Sequence, residues 1–101
     1  MKIIWSEPAK RKVADYKALL AGEIGEANAA AWAEKLFRST RILATHPHAG
    51  RMVPEIGRPD VRELLYRVHR VIYQLDAQSD LCIIVSLRHA RQDTTPENYS
   101  E

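Results

Sequence analysis

RVHRVIYQLDAQSDLCIIVSLRHAR, residues 67–91, decides the fold. Two apolar runs, about 68–75 and 81–88, flank the polar stretch Asp76-Ala77-Gln78-Ser79-Asp80, which is the pattern of a β-hairpin. In the second run Leu81, Ile83, Val85 and Leu87 share one parity, while Cys82, Ile84, Ser86 and Arg88 share the other. If Leu75 and Leu81 close the connection, Tyr73 falls opposite Ile83, Val71 opposite Val85 and His69 opposite Leu87. That register gathers the odd-numbered apolar residues on one face. On the other face Arg70 stands opposite Ser86 and Arg88 opposite Val68, so the two guanidinium groups are diagonal neighbours. Like charges so placed repel and need an anion, which is either an internal carboxylate or something that binds. A tight turn at Tyr66-Arg67-Val68-His69 would set Leu65 opposite Arg70 and make Glu63 its diagonal neighbour, an internal partner for one arginine.

Upstream of the hairpin, Lys2–Trp5 is a short strand candidate, and Ser6-Glu7-Pro8 is a helix start with Ser6 as the cap. Val13, Tyr16, Leu20 and Ile24 recur at helical spacing, which predicts a helix from 8 to about 21, with Gly22 and Gly25 bracketing its end. Ala29, Trp32, Leu36 and Leu43 line one face of a second helix, about 26–44, with Ala33 and Phe37 widening it and Trp32 and Phe37 read as core. The short link between the helices makes them an antiparallel hairpin. Residues 45–60, THPHAGRMVPEIGRPD, hold three prolines and two glycines and are read as a long connection without a regular element. A further strand, about 61–66, precedes the hairpin. The order is strand, two helices, three strands, hence an α+β fold: an N-terminal strand and a helical hairpin packed on a mainly antiparallel sheet.

A chain of 101 residues, 46% hydrophobic and 28% charged, supports one core, so residues 1–101 are read as a single domain. No apolar run approaches the length of a membrane span, and a cytoplasmic location is expected. Cys82, the one cysteine, lies in an apolar run and is read as a small buried hydrophobe. His46 and His48 flank Pro47 with no cysteine or carboxylate at ligand spacing, so neither a metal nor another cofactor is implied. The net charge is only +2, but it is unevenly spread. Between 35 and 92 the bases are Lys35 and the arginines 38, 41, 51, 58, 62, 67, 70, 88 and 91, against Glu55, Asp60, Glu63, Asp76 and Asp80; the stretch after Gln92 is acidic. Arginine is the cation suited to forked contact with phosphate or carboxylate, which suggests an anionic partner beside the plainer reading of a solvated surface.

The element order, together with HPHAGRMVPEIGRPDVREL (46–64), YRVHRVIYQL (66–75) and VSLRHAR (85–91), resembles the RelE/ParE superfamily of toxins from type II toxin-antitoxin systems, and ParE most. The resemblance covers nearly the whole chain. Arg70-Val71-Ile72-Tyr73 is similar to the family's Y-R-I-I-Y strand, with His69 in place of the first tyrosine. It implies a cognate antitoxin, lying along the helical hairpin and across the sheet. RelE-like members cut messenger RNA on the ribosome; for that activity Arg70 would hold phosphate and His89 or Arg91 would complete the catalytic set. ParE-like members poison DNA gyrase and end in a His-Gly-Arg-Arg-like segment, which Arg88–Gln92 approximates. Residues 36–101 hold no lysine and the end of the chain is acidic, which favours the ParE-like reading. The residues implied for target or antitoxin binding are Arg62, Arg70, Arg88 and Arg91. A third reading is an inactive toxin fold retained as a binding module.

Overall fold

The computed structural model describes residues 1–101. Its elements are β1 (Lys2–Trp5), α1 (Glu7–Ile24), α2 (Glu26–Ser39), a 3₁₀ turn (Arg41–Ala44), β2 (Arg51–Met52), β3 (Val61–Tyr66), β4 (His69–Asp76) and β5 (Leu81–His89). The strands form one sheet in the order β1-β5-β4-β3-β2, antiparallel except that β1 runs parallel to β5. The architecture is α+β, as the sequence pattern implies.

Each helix boundary has a local cause. Ser6 caps α1, its Oγ accepting from the Ala9 N–H at 3.2 Å, with proline in the first turn. Gly22 sits within α1 and does not end it. The helix runs on to Gly25, whose φ of 90° both stops α1 and turns the chain into α2. The second helix is shorter than its apolar stripe suggests because Ser39 Oγ donates to the Leu36 carbonyl at 2.6 Å and Thr40 Oγ1 to the Phe37 carbonyl at 2.8 Å. These hydroxyls take the last carbonyls, and the chain tightens into the 3₁₀ turn that seats Leu43 in the core.

The sheet buries both faces. Against the helices lie Val71, Tyr73, Cys82, Ile84 and Leu87, packed on Ala9, Val13, Trp32, Ala33 and Leu36. Cys82 is fully enclosed there, and burial pushes its thiol up to about 11, so it stays protonated and inert. Phe37 differs from expectation: it is 40% exposed and meets Trp5 edge-on at 4.8 Å instead of entering the core. On the far face Val53, Val61, Ile72 and Val85 form a second cluster beneath Ile56 and Tyr99.

Regular alternation cannot turn even-numbered Cys82 and Ile84 and odd-numbered Leu87 to the same face, so β5 must break parity, and it does. Val71 pairs with Leu87 and Ile72 with Ser86, yet Tyr73 pairs with Ile84, so Val85 is an extra residue with no partner on β4. This β-bulge turns Leu87, Ile84 and Cys82 towards the helices and Val85 away. The hairpin also closes at Asp76–Leu81, one residue tighter than Leu75–Leu81, and closure and bulge together correct the uniform register read from the sequence: Tyr73 lies opposite Ile84, His69 opposite His89, and Arg70 directly opposite Arg88. The turn before β4 does follow the sequence reading, with Leu65 opposite Arg70, Glu63 two pairs further along on the same face and Arg67 at φ 55°.

The connector also differs from expectation, since Arg51 and Met52 pair with Glu63 and Arg62 as an edge strand. Its entry is anchored at Gly50, where a Cβ would come within 2.4 Å of the Glu63 carbonyl oxygen, so no side chain fits. The Gly50 N–H donates to the Tyr73 hydroxyl at 3.0 Å, and that hydroxyl donates to the Pro47 carbonyl at 2.8 Å. Tyr73→Phe leaves both backbone groups unpaired in a buried place and is expected to lower unfolding free energy by about 1–3 kcal/mol, read from urea denaturation.

Candidate functional site

The arginines of the hairpin meet on the sheet face turned away from the helices, at the end where β4 begins and β5 finishes. Arg70 is 5% exposed. Its Nε donates to Glu63 Oε2 at 2.5 Å, and its two terminal nitrogens fork onto Glu55 at 2.8 and 3.0 Å. The buried Glu63 carboxylate also accepts from Arg51 Nε at 2.6 Å. Two arginines and two carboxylates thus form a neutral lattice, in which Arg70's hydrogen bond draws the Glu55 carboxyl below its ordinary value.

Arg88 is 3% exposed and has no such partner. Its terminal nitrogens donate to two backbone carbonyls of the segment after β5: Asp93 at 3.4 Å, and Asn98. Burial holds the guanidinium below its ordinary value, with the charge of Glu101 opposing and that of Arg70 adding. The segment 90–101 that carries those carbonyls lies over this face, with Thr94 buried beside Arg70 and Tyr99 Oη donating to Gln74 Oε1 at 3.0 Å. The exposed arginine cluster read from the sequence is therefore corrected: Arg70 and Arg88 lie beneath the chain's own covering segment. Internal acids satisfy one and backbone carbonyls part of the other.

The remaining residues singled out from the sequence separate. Arg62 is half-buried, donating to the carbonyls of Pro59 at 2.9 Å and Gly50 at 3.0 Å, so its guanidinium braces the connector. His89 and Arg91 are exposed, with the Arg91 backbone N–H donating to His89 Nδ1 at 3.2 Å. His89 faces a shallow cleft shared with Lys12, Asp15, Tyr16 and His69.

His69 occupies an aromatic box. Its ring meets Tyr16 at 4.4 Å and Trp32 at 5.8 Å between centroids, and buried Nδ1 has no hydrogen-bond partner. Burial first, and His89 second, lower its pKa from 6.5. The folded chain therefore binds fewer protons at this ring than the unfolded chain. Stability is fully present above pH 6.5 and falls as acid is added towards the lower folded value. Tm is expected to drop between pH 7.5 and 5.5, and His69→Phe should reduce that drop.

Sequence reasoning missed a groove of about 630 Å³ between the Gly25-linked halves of the two helices and the β3–β4 turn. Tyr16, Leu20, Ile24, Trp32 and Val68 make its apolar floor, and Lys35 and Arg67 border it. Leu19, Ile24 and Val68 are exposed nearby. The available signal was α1's apolar stripe, which carries on through Leu20 and Ile24 past the buried Ala9 and Val13.

A helical hairpin laid on one face of a five-stranded sheet, with paired arginines on the other, defines the general class as a small α+β protein. The chain belongs to the ParE toxin family of the type II toxin-antitoxin system parDE, whose family model matches residues 3–94. It is thus a toxin of a type II pair, with an antitoxin as its partner. Among solved structures, a chain of the chromosomal ParDE system from P. aeruginosa has the same fold, with TM-score 0.76 and 17% identity over 90% of this chain and 97% of that one. No curated protein sequence matches this chain. No helix is long and apolar enough to cross a membrane.

Proposed function

We propose that residues 1–101 act as a single toxin domain in the cytoplasm, poisoning DNA gyrase by binding rather than by hydrolysis. The observation that carries this reading is the state of Arg70. The strand arginine that a nuclease of the RelE type would direct at phosphate has its donors engaged by Glu55, Glu63 and Thr94. Family membership over residues 3–94 supports the same choice. The contact surface then falls to exposed groups at the end of β5, Arg91 and His89, while Arg62, Arg70 and Arg88 hold the connector and the covering segment in shape. The antitoxin lays an apolar, acid-bearing segment in the groove floored by Trp32 and Leu20, where Lys35 and Arg67 supply the complementary charge.

Induction in a sensitive cell tests this reading. Gyrase-linked DNA breaks and a DNA damage response are the expected result; cleavage of messenger RNA during translation would overturn it in favour of a ribosome-dependent endoribonuclease. Growth without harm would leave an inactive binding module. Arg91→Glu, at an exposed site, is expected to weaken growth inhibition at least tenfold with Tm unchanged. His89→Asn, which keeps a polar group at the contact surface, is expected to weaken toxicity only a few-fold, whereas a nuclease using His89 as acid or base would lose about 10²–10⁴-fold in rate.

A further inference from the structure

Arg88 lacks what a buried guanidinium ordinarily has. A buried cation is normally paired with an acid and fully hydrogen-bonded. Arg70, directly across the ladder, meets that rule with two carboxylates. Arg88 has no ion pair, its partners are the neutral carbonyls of Asp93 and Asn98, and its Nε is buried without any acceptor. The Nε and Nη2 hydrogens of a guanidinium form a two-donor edge that suits two oxygens on one centre. Here the single carbonyl oxygen of Asn98 fills only half of that edge. The charges around it are mixed: Arg70 opposes it in the sheet and Lys12, whose pKa is lowered by burial first and by Arg88 second, lies close, while the opposing charge of Glu101 is carried by the covering segment itself.

The covering segment is attached in a manner that permits lifting. Its backbone hydrogen bonds beyond Ala90 are local, from Gln92 to His89, Asn98 and Tyr99 to Thr95, and Glu101 to Asn98. Its hold on the sheet comes from side chains: Arg88 itself, Arg70 to Thr94 at 3.4 Å, Ser86 Oγ donating to the Glu101 carbonyl at 2.8 Å, and Tyr99, which bonds Gln74 and packs on the far-face apolar cluster. The ladder beneath is continuous through His89. Opening the cover therefore breaks a few tethers without breaking a strand pairing.

We propose that Arg88 is the base of an oxyanion site roofed by residues 90–101, which takes a carboxylate or phosphate on its Nε/Nη2 edge when the roof lifts. The site is independent of whether gyrase is the target. In the open state one oxygen replaces the Asn98 carbonyl on Nη2 and a second accepts from the now unpartnered Nε.

The Nε–H resonance of Arg88 in ¹H–¹⁵N spectra reads this directly, with the signal assigned through bonds to the Arg88 backbone. Inorganic phosphate, and separately acetate, is titrated at constant ionic strength into the intact protein and into Tyr99→Ala, which removes a tether. Ser86→Ala, which removes another, serves as the second loosened protein should Tyr99→Ala not fold. The expected result is a saturable shift in the loosened protein with a midpoint at least tenfold lower than in the intact one. A response to phosphate alone assigns the site to phosphate, and a response to acetate as well makes carboxylates ligands too. An unmoved Nε–H in the loosened protein overturns the site, and equal midpoints in intact and loosened proteins overturn the roof.

Discussion

Glu63→Ala is expected to destabilise the domain by about 3–5 kcal/mol, the range for removing one partner of a buried ion pair. Its carboxylate is buried and serves both Arg51 and Arg70. Without it Arg70 keeps the fork to Glu55, but its Nε is left facing a void in a place water does not reach. A domain of this size has roughly 5–15 kcal/mol of stability in all, so the loss shows as a large fall in the urea midpoint. Glu63→Gln keeps the volume and an acceptor for one arginine, and should fall between Glu63→Ala and the unaltered chain. If Glu63→Ala unfolded at the same urea concentration as the unaltered protein, the neutral lattice would not be what holds this end of the sheet.

Trp32→Ala is expected to cost a similar amount, about 3–5 kcal/mol, because it empties a large volume between α2 and the sheet. Trp32 also touches the rings of Tyr16, Tyr66 and His69. Its loss should let water reach His69, so the ring's pKa relaxes towards 6.5 and the fall in Tm on acidification shrinks. The same substitution removes much of the groove floor, so antitoxin affinity is expected to drop with it. Calorimetry at pH 7.5 and 5.5 checks the coupling, since an unaltered acid response would mean that another group governs it.

The helices, the outer strand and the β3–β4 turn were legible because each has a local cause within a few residues: the Ser6 cap, the left-handed Gly25, and the alternation across Glu63 and Leu65. The β4–β5 register was hidden by composition. Residues 81–85, LCIIV, are apolar on both parities, so neither the one-residue shift at the hairpin closure nor the bulge at Val85 leaves a mark that alternation would reveal. The fate of the arginines was half legible. Glu63 lies on the adjoining strand and could be placed beside Arg70, whereas Glu55 arrives from an irregular connector and the carbonyls over Arg88 from a segment without periodicity. Contacts between sheet and loop depend on paths that no short-range pattern encodes.

The parallel pairing of Lys2–Trp5 with Leu81–Ile84 constrains when the toxin can come into being. β1 has no neighbour until β5 has been translated, several seconds later at about 5–20 residues per second. Closing that long loop is the slow entropic step of such a topology. A nascent chain stopped anywhere before β5 holds a helical pair with an open sheet edge, exposed to proteases, and the folded toxin requires β5 to have been made.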